Sequence, residues 1–143
     1  MRKLTLEQRE FFNVVFAAPA IPKNIAQLCD YEKEFAATCS MVIKDVSHPK
    51  WSVTYHSKDS DKQAWVEPDY VSTIDQLNKD KERHVVFAPL GTVCESIETL
   101  YDLDVTVRKK AEATGYGFMR VPAVIDHNKF LLMVLDVILE KIK

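Results

Sequence analysis

The chain predicts an α/β fold, a three-layer sandwich built around a four-stranded, mostly parallel sheet. Two observations carry that expectation. β-rich apolar runs alternate along the whole chain with segments whose apolar residues recur every three or four positions. The runs are also separated by far more residues than a hairpin needs, so neighbouring strands should be parallel and joined by helical crossovers. With 143 residues, 47% of them hydrophobic, one domain spanning 1–143 can bury a core of its own.

Taken in order, Thr5 opens a Thr-x-x-Gln capping pattern that closes at Gln8, and FFNVVFAA, Phe11 to Ala18, reads as the first strand. Pro19 and Pro22 cannot donate to a ladder and force a loop. Asp30 is placed to cap a helix running to Val46, with Tyr31, Phe35, Thr38, Val42 and Val46 on its inner side. The turn Ser47-His48-Pro49 ends it. Trp51 to Ser57 then alternates large or β-branched residues with small polar ones, as a second strand does. A polar loop, Lys58 to Gln63, precedes Trp65, and after Pro68 the residue Asp69 starts a shorter helix through Val71, Ile74 and Leu77.

The charged turn Lys79 to Arg83 leads into His84 to Leu90, a short apolar run that reads as a strand covered on both faces. Ser96 is the expected N-cap of the next helix, whose 3-4 spaced face is Ile97, Leu100, Tyr101, Asp104 and Val105. Gly115 is its expected terminator. Gly115 to Val121 reads as a short fourth strand ended by Pro122. Asn128 is then placed to cap a last helix, with Phe130, Val134, Ile138 and Ile142 along one side and Leu131, Leu132 and Leu135 widening it. All the helical stripes are expected to be core.

Composition excludes several function classes. A net charge of −2 argues against a nucleic-acid partner. Cys29, Cys39 and Cys94 form no CxxC pair and are odd in number, which fits neither a disulfide framework nor a closed zinc site. No apolar run approaches the ~20 residues of a membrane span. Met1-Arg2-Lys3 is followed by the acids Glu7 and Glu10, unlike a signal or transit peptide, so a cytoplasmic chain is expected.

Parallel sheets hold ligands beyond the C-terminal ends of their strands. The loops expected there are Pro19 to Pro22, His56 to Trp65, and Gly91 to Ser96 with the helix that follows. A ligand would meet Trp65, His56, Cys94, Glu98 and Asp102. Glu98 and Asp102, four residues apart, project from one helical stripe. The ordinary alternative for such a pair is a solvated helix face.

SIETLYDLD, Ser96 to Asp104, preceded by the run VVFAPLG, resembles the strand, loop and helix of the ferrochelatase family, whose helix begins His-Ile-Glu-Thr-Leu-Tyr-Glu-Leu-Asp. LEQRE and VVFAAPAIP resemble the lead-in to that family's Ser-Ala-His-Ser-Leu-Pro loop. Tyr31, Glu34, Phe35, Ala37 and Thr38 match its next helix. His56-Ser57, Trp65 and Pro68 resemble a Gln-Ser…Trp-Leu-x-Pro segment, and Arg120 to Ala123 with Phe130 continue the match. The resemblance covers almost the whole chain but only the C-terminal half of a full-length ferrochelatase, so it implies a chelatase-like half-domain.

What the resemblance implies is a fold that handles protoporphyrin or heme and ferrous iron, with no cofactor built in and no iron–sulfur cluster. Glu98 and Asp102 fall on the family's catalytic helix, and Trp65, with Pro19 and Ile21, is expected to touch the macrocycle. Two signature histidines are replaced, one by Pro19, which neither binds metal nor takes a proton, the other by Ser96. His56 and Cys94 are the candidate substitute metal ligands, grouped with Glu98 because all three belong near strand ends. The reading that follows is a catalytically degenerate porphyrin-binding or regulatory protein. The alternatives are an active half-size chelatase working as a homodimer, or an accessory subunit of a full-length ferrochelatase. The animal members of the family suggest a mitochondrial alternative to the cytoplasm.

Overall fold

The computed structural model describes residues 12–46, 50–58, 63–77 and 83–142. The Thr5/Gln8 capping pattern, Phe11, the 47–49 turn and the middles of the two polar connections, 59–62 and 78–82, lie outside them. Four strands form one sheet: β1 (Phe12–Pro19), β2 (Trp51–His56), β3 (His84–Ala88) and β4 (Gly117–Arg120). Their order is β2-β1-β3-β4 and every pairing is parallel.

β1 lies inside the sheet and is buried from Phe12 to Ala18, which is why its sequence is apolar without alternation. Its even-numbered residues Phe12, Val14, Phe16 and Ala18 face one core layer. They meet Phe35, Cys39 and Ile43 of helix α2 (Tyr31–Val46) and Ala26 of the short helix α1 (Lys23–Ala26). Val15 and Ala17 face the opposite layer with Ile74 of α3 (Tyr70–Gln76), and with Leu103, Val107 and Ala111. Helices thus cover both faces, and the three-layer α/β expectation holds.

Leu103, Val107 and Ala111 belong to a composite helix. α4 (Ile97–Tyr101) passes into a π-helical segment, Asp102–Val107, and then into α5 (Arg108–Ala113). The inner face is Thr99, Leu103, Val107 and Ala111, each four residues on from the last. Ile97, Leu100 and Tyr101, expected inside, are exposed. A four-residue step drifts one way round an α-helix and the other way round the wider π turn. The two drifts offset each other, and a stripe that pure α periodicity would not select becomes the buried one.

Two further helices depart from expectation. In α2 the buried line is Phe35, Cys39 and Ile43, while Val42 is exposed and the Thr38 hydroxyl donates to the Glu34 carbonyl at 2.8 Å. The last helix, α6 (Asn128–Lys141), buries none of its residues, so its apolar sides are not core. Its N-cap is His127, whose Nδ1 accepts from the Lys129 N–H at 3.3 Å, and not Asn128. Other caps fall where the sequence puts them: Asp69 Oδ1 accepts from the Ser72 N–H at 2.9 Å, and Gly115 closes α5 with a φ of 87°.

Candidate functional site

The C-terminal ends of β1, β2 and β3 bring most of the expected residues to one edge. Pro19 and His56 are Cα partners at the ends of β1 and β2, and the Ala20 N–H donates to the His56 carbonyl at 2.7 Å. Tyr31 Oη donates to the Pro19 carbonyl at 2.7 Å, fixing the start of the loop. Next along, the Val66 N–H donates to the Ile21 carbonyl at 3.0 Å, and Pro22 forms an isolated antiparallel bridge with Trp65. Pro19, Ile21 and Trp65 are all half-buried, and Ile21 and Trp65 pack against the core layer that α2 covers. The loop after β3 closes tightly on it. The Gly91 N–H donates to the Ala17 carbonyl at 3.0 Å, and a Cβ at Gly91 would collide with Ala18.

His56 is 1% exposed and sits in a hydrogen-bonded series. Ser57 Oγ donates to Asp102 Oδ2 at 2.6 Å, so it can only accept at the 2.8 Å contact with His56 Nδ1. The imidazole therefore carries its proton on Nδ1 and a lone pair on Nε2. Burial pushes the His56 pKa below the ordinary histidine value, and the Asp102 carboxylate offsets this only in part. Ser57 adopts φ 60°, a left-handed conformation uncommon for a residue with a Cβ. These three residues line a cleft of about 270 Å³ together with Tyr70 and the Lys58–Asp69 ion pair, whose charged atoms are 3.3 Å apart.

Glu98 stands in the first turn of α4, fully in solvent. Hydrogen bonds from its own N–H and then from Ser96 hold its carboxyl below the usual range. Ser96 is committed to the cap: its Oγ accepts from the Thr99 N–H at 3.1 Å and lies 3.0 Å from Thr99 Oγ1. Cys94 is a free, exposed thiol. Among the described residues no three His, Cys, Asp or Glu side chains are grouped closely enough to hold a metal ion. The trio His56, Cys94 and Glu98 is therefore not assembled. The imidazole is sealed at the strand end, whereas the thiol and Glu98 face water.

Sequence reasoning missed Ser57, the link between the two chemically useful side chains. It also missed Arg120 as a clamp, although the residue is the first of the RVPA tetrapeptide. Arg120 Nε donates to Asp104 Oδ1 and its Nη1 to Glu95 Oε1, both at 2.8 Å, and that same Glu95 oxygen accepts from the Ala123 N–H. This ties the end of β4 to the π segment and to the loop that carries Cys94. Three buried side-chain atoms find no hydrogen-bond partner among the described residues: His56 Nε2, Trp65 Nε1 and Thr92 Oγ1. All three lie at the end of β2 or in the connections that leave β2 and β3. Buried polar atoms are normally satisfied, so these three are exceptions.

The family model for ferrochelatase matches residues 2–142. A ferrochelatase of Rhodopirellula baltica is 30% identical over 131 residues, which is 90% of this chain and 37% of the relative. A coproporphyrin III ferrochelatase of Mycolicibacterium smegmatis is 28% identical, covering 92% of this chain and 40% of its own length. A ferrochelatase of Aquifex aeolicus, also 28% identical, covers 95% and 44%. The chain thus spans less than half the length of these relatives. Among solved structures, a cobalamin (vitamin B12) biosynthesis CbiX protein from Marinobacter aquaeolei VT8 superposes with a TM-score of 0.61 at 10% identity, over 92% of this chain and 97% of that one. At that identity the likeness shows the fold alone.

Proposed function

The chain belongs to the ferrochelatase family, and we propose that it binds a tetrapyrrole along the C-terminal edge of its sheet without carrying the family's iron-insertion chemistry. The observation that carries this reading is that His56 Nε2, Trp65 Nε1 and Thr92 Oγ1, at the end of β2 and in the connections that leave β2 and β3, are buried with no hydrogen-bond partner among the described residues. The half-buried Pro19, Ile21 and Trp65 beside them offer an apolar surface for a flat macrocycle. The cleft under Asp102 is too small to swallow one, since sites that enclose drug-sized ligands span roughly 300–1,000 Å³. The ligand would lie across the strand ends.

Loss of turnover rests on the two replaced histidines. Pro19 has no titratable atom, and the Ser96 hydroxyl is occupied as a helix cap. Removing one positioned acid–base group commonly lowers a rate by about 10²–10⁴. The test is a protoporphyrin titration followed by ferrous iron insertion. Saturable binding is expected, with metal insertion no faster than in protein-free solution. Turnover that Glu98→Gln abolishes would contradict the reading.

A second reading, a half-size chelatase completed by another copy or by a full-length ferrochelatase, draws on α6. From Leu131 to Leu139 its large apolar side chains are between 38% and 59% exposed. A helix apolar on most sides requires cover.

A further inference from the structure

Two apolar surfaces of this chain lack cover among the described residues, and they complement each other. One is α6, which buries none of its residues. The other is a strip of the sheet. All-parallel sheets are normally sheltered on both faces. The face that carries Val15, Ala17, Val85 and Phe87 lies under α3 and the composite helix. On the opposite face the described helices are α1 and α2, and α2 packs toward β2, with the Phe35 and Tyr55 rings 5.8 Å apart. Toward β3 and β4 that layer thins out. Val86 and Ala88 are only partly covered, Met119, the register partner of Val86, is 40% exposed, and Val121 beyond it is 38% exposed.

A helix that follows a parallel strand usually packs back onto the sheet, but the path out of β4 directs α6 away from its own strip. Arg120 alternates with Met119 and so points to the opposite face, where Asp104 and Glu95 hold it at 2.8 Å. The same Glu95 oxygen accepts from the Ala123 N–H at 2.8 Å. The chain therefore leaves β4 on the side of the composite helix. The 3-10 turn Val124–Asp126 and the His127 cap follow directly, and α6 starts from the wrong face to cover the strip beside it.

We propose that two copies of this chain exchange α6, each helix lying on the strip left bare over β3 and β4 of the other copy. A second copy fits better than an unrelated partner because one chain carries both halves of the contact. A single two-fold operation then covers both helices and both strips, and exchange of an identical element is a low-cost route to a dimer. Eight large apolar side chains on each helix, each about half exposed, amount to on the order of 1,400 Å² for the pair before the strips are counted, which is within the roughly 1,200–2,000 Å² of stable interfaces. The dimer goes beyond the tetrapyrrole reading and does not depend on it.

The test is sedimentation equilibrium of the full chain as wild type, Met119→Glu and Leu135→Glu, and of the two variants mixed in equal amounts. Both residues are exposed, so neither change enters a core layer, and circular dichroism checks the fold. The wild type should be a dimer. Each variant alone should self-associate about a hundred-fold more weakly or worse, because every dimer carries its change twice. The mixture should regain dimers, since the intact helix of the Met119→Glu copy meets the intact strip of the Leu135→Glu copy. Should either variant fail to fold, the wild type decides. In an equal mixture of carbon-13-labelled and unlabelled chains, isotope-filtered nuclear Overhauser contacts should join the Met119 methyl to α6 methyls across chains. A wild type that stays monomeric to millimolar concentration, a dimer that Met119→Glu leaves intact, a mixture of folded variants that stays monomeric, or Met119 contacts to α6 confined within one chain overturns the exchange. Each of those results leaves the tetrapyrrole reading standing.

Discussion

His56 is subject to two opposed influences, burial that disfavours its charged form and a carboxylate two hydrogen bonds away that favours it, and burial wins. Its folded-state pKa is therefore below the unfolded value of about 6.5. Below that pH the unfolded chain takes up a proton that the folded one refuses, so this contribution to stability is intact above about pH 6.5 and is lost as pH falls toward the folded pKa. The urea midpoint of the wild type should drop between pH 7 and pH 5 more steeply than that of His56→Gln; equal slopes would refute the depressed pKa. Ser57→Ala should destabilise the fold by roughly 1–3 kcal/mol, because it strands the buried Nδ1–H. Chemical denaturation measures that directly. The two end members of this series were legible in the sequence, His56 as a strand-end residue and Asp102 as a helix acid. The link was not, because nothing in a lone serine announces the left-handed conformation that turns its hydroxyl toward both.

Element boundaries were legible where burial is strongest. β1 and β3 declare themselves as unbroken apolar runs, since each faces helices on both sides. Helix faces were less legible. The inner line of the composite helix lies at Leu103, Val107 and Ala111 because of a π segment, and α periodicity instead selected Ile97, Leu100 and Tyr101, which face water. In α2 the buried line runs through Cys39, which strand and helix propensities alike treat as uninformative. The π segment also sets Asp102 at the strand ends, with its oxygen 3.5 Å from His56 Nδ1. The loop after β3 depends on Gly91, and Gly91→Ala should destabilise by about 1–3 kcal/mol as the new Cβ overpacks against Ala18. A thermal melt within error of the wild type would contradict that close approach.

At the scale of the whole molecule, the fold class and the family could be read from sequence because a parallel sheet and a long motif survive local replacement. The state of α6 could not be read. Its apolar pattern is that of a core helix, yet it packs away from both core layers. Contiguous apolar surface is normally kept small on a monomer, and eight large apolar side chains between Leu131 and Leu139 are at least 38% exposed. Light scattering should accordingly give a mass above the 16.4 kDa of one chain, falling to that value when Leu131, Leu135 and Ile138 are replaced by glutamate. A wild type that remains at the single-chain mass at every concentration would leave the helix without the expected cover. The central claim, however, concerns the strand ends. The most direct measurement is an amide nitrogen–proton NMR spectrum of the chain recorded with and without protoporphyrin. Shifts concentrated at Ala20 and Ile21, His56 to Lys58, Trp65 and Gly91 to Glu98 are predicted, whereas an unchanged spectrum, or shifts confined to α6, would contradict the account.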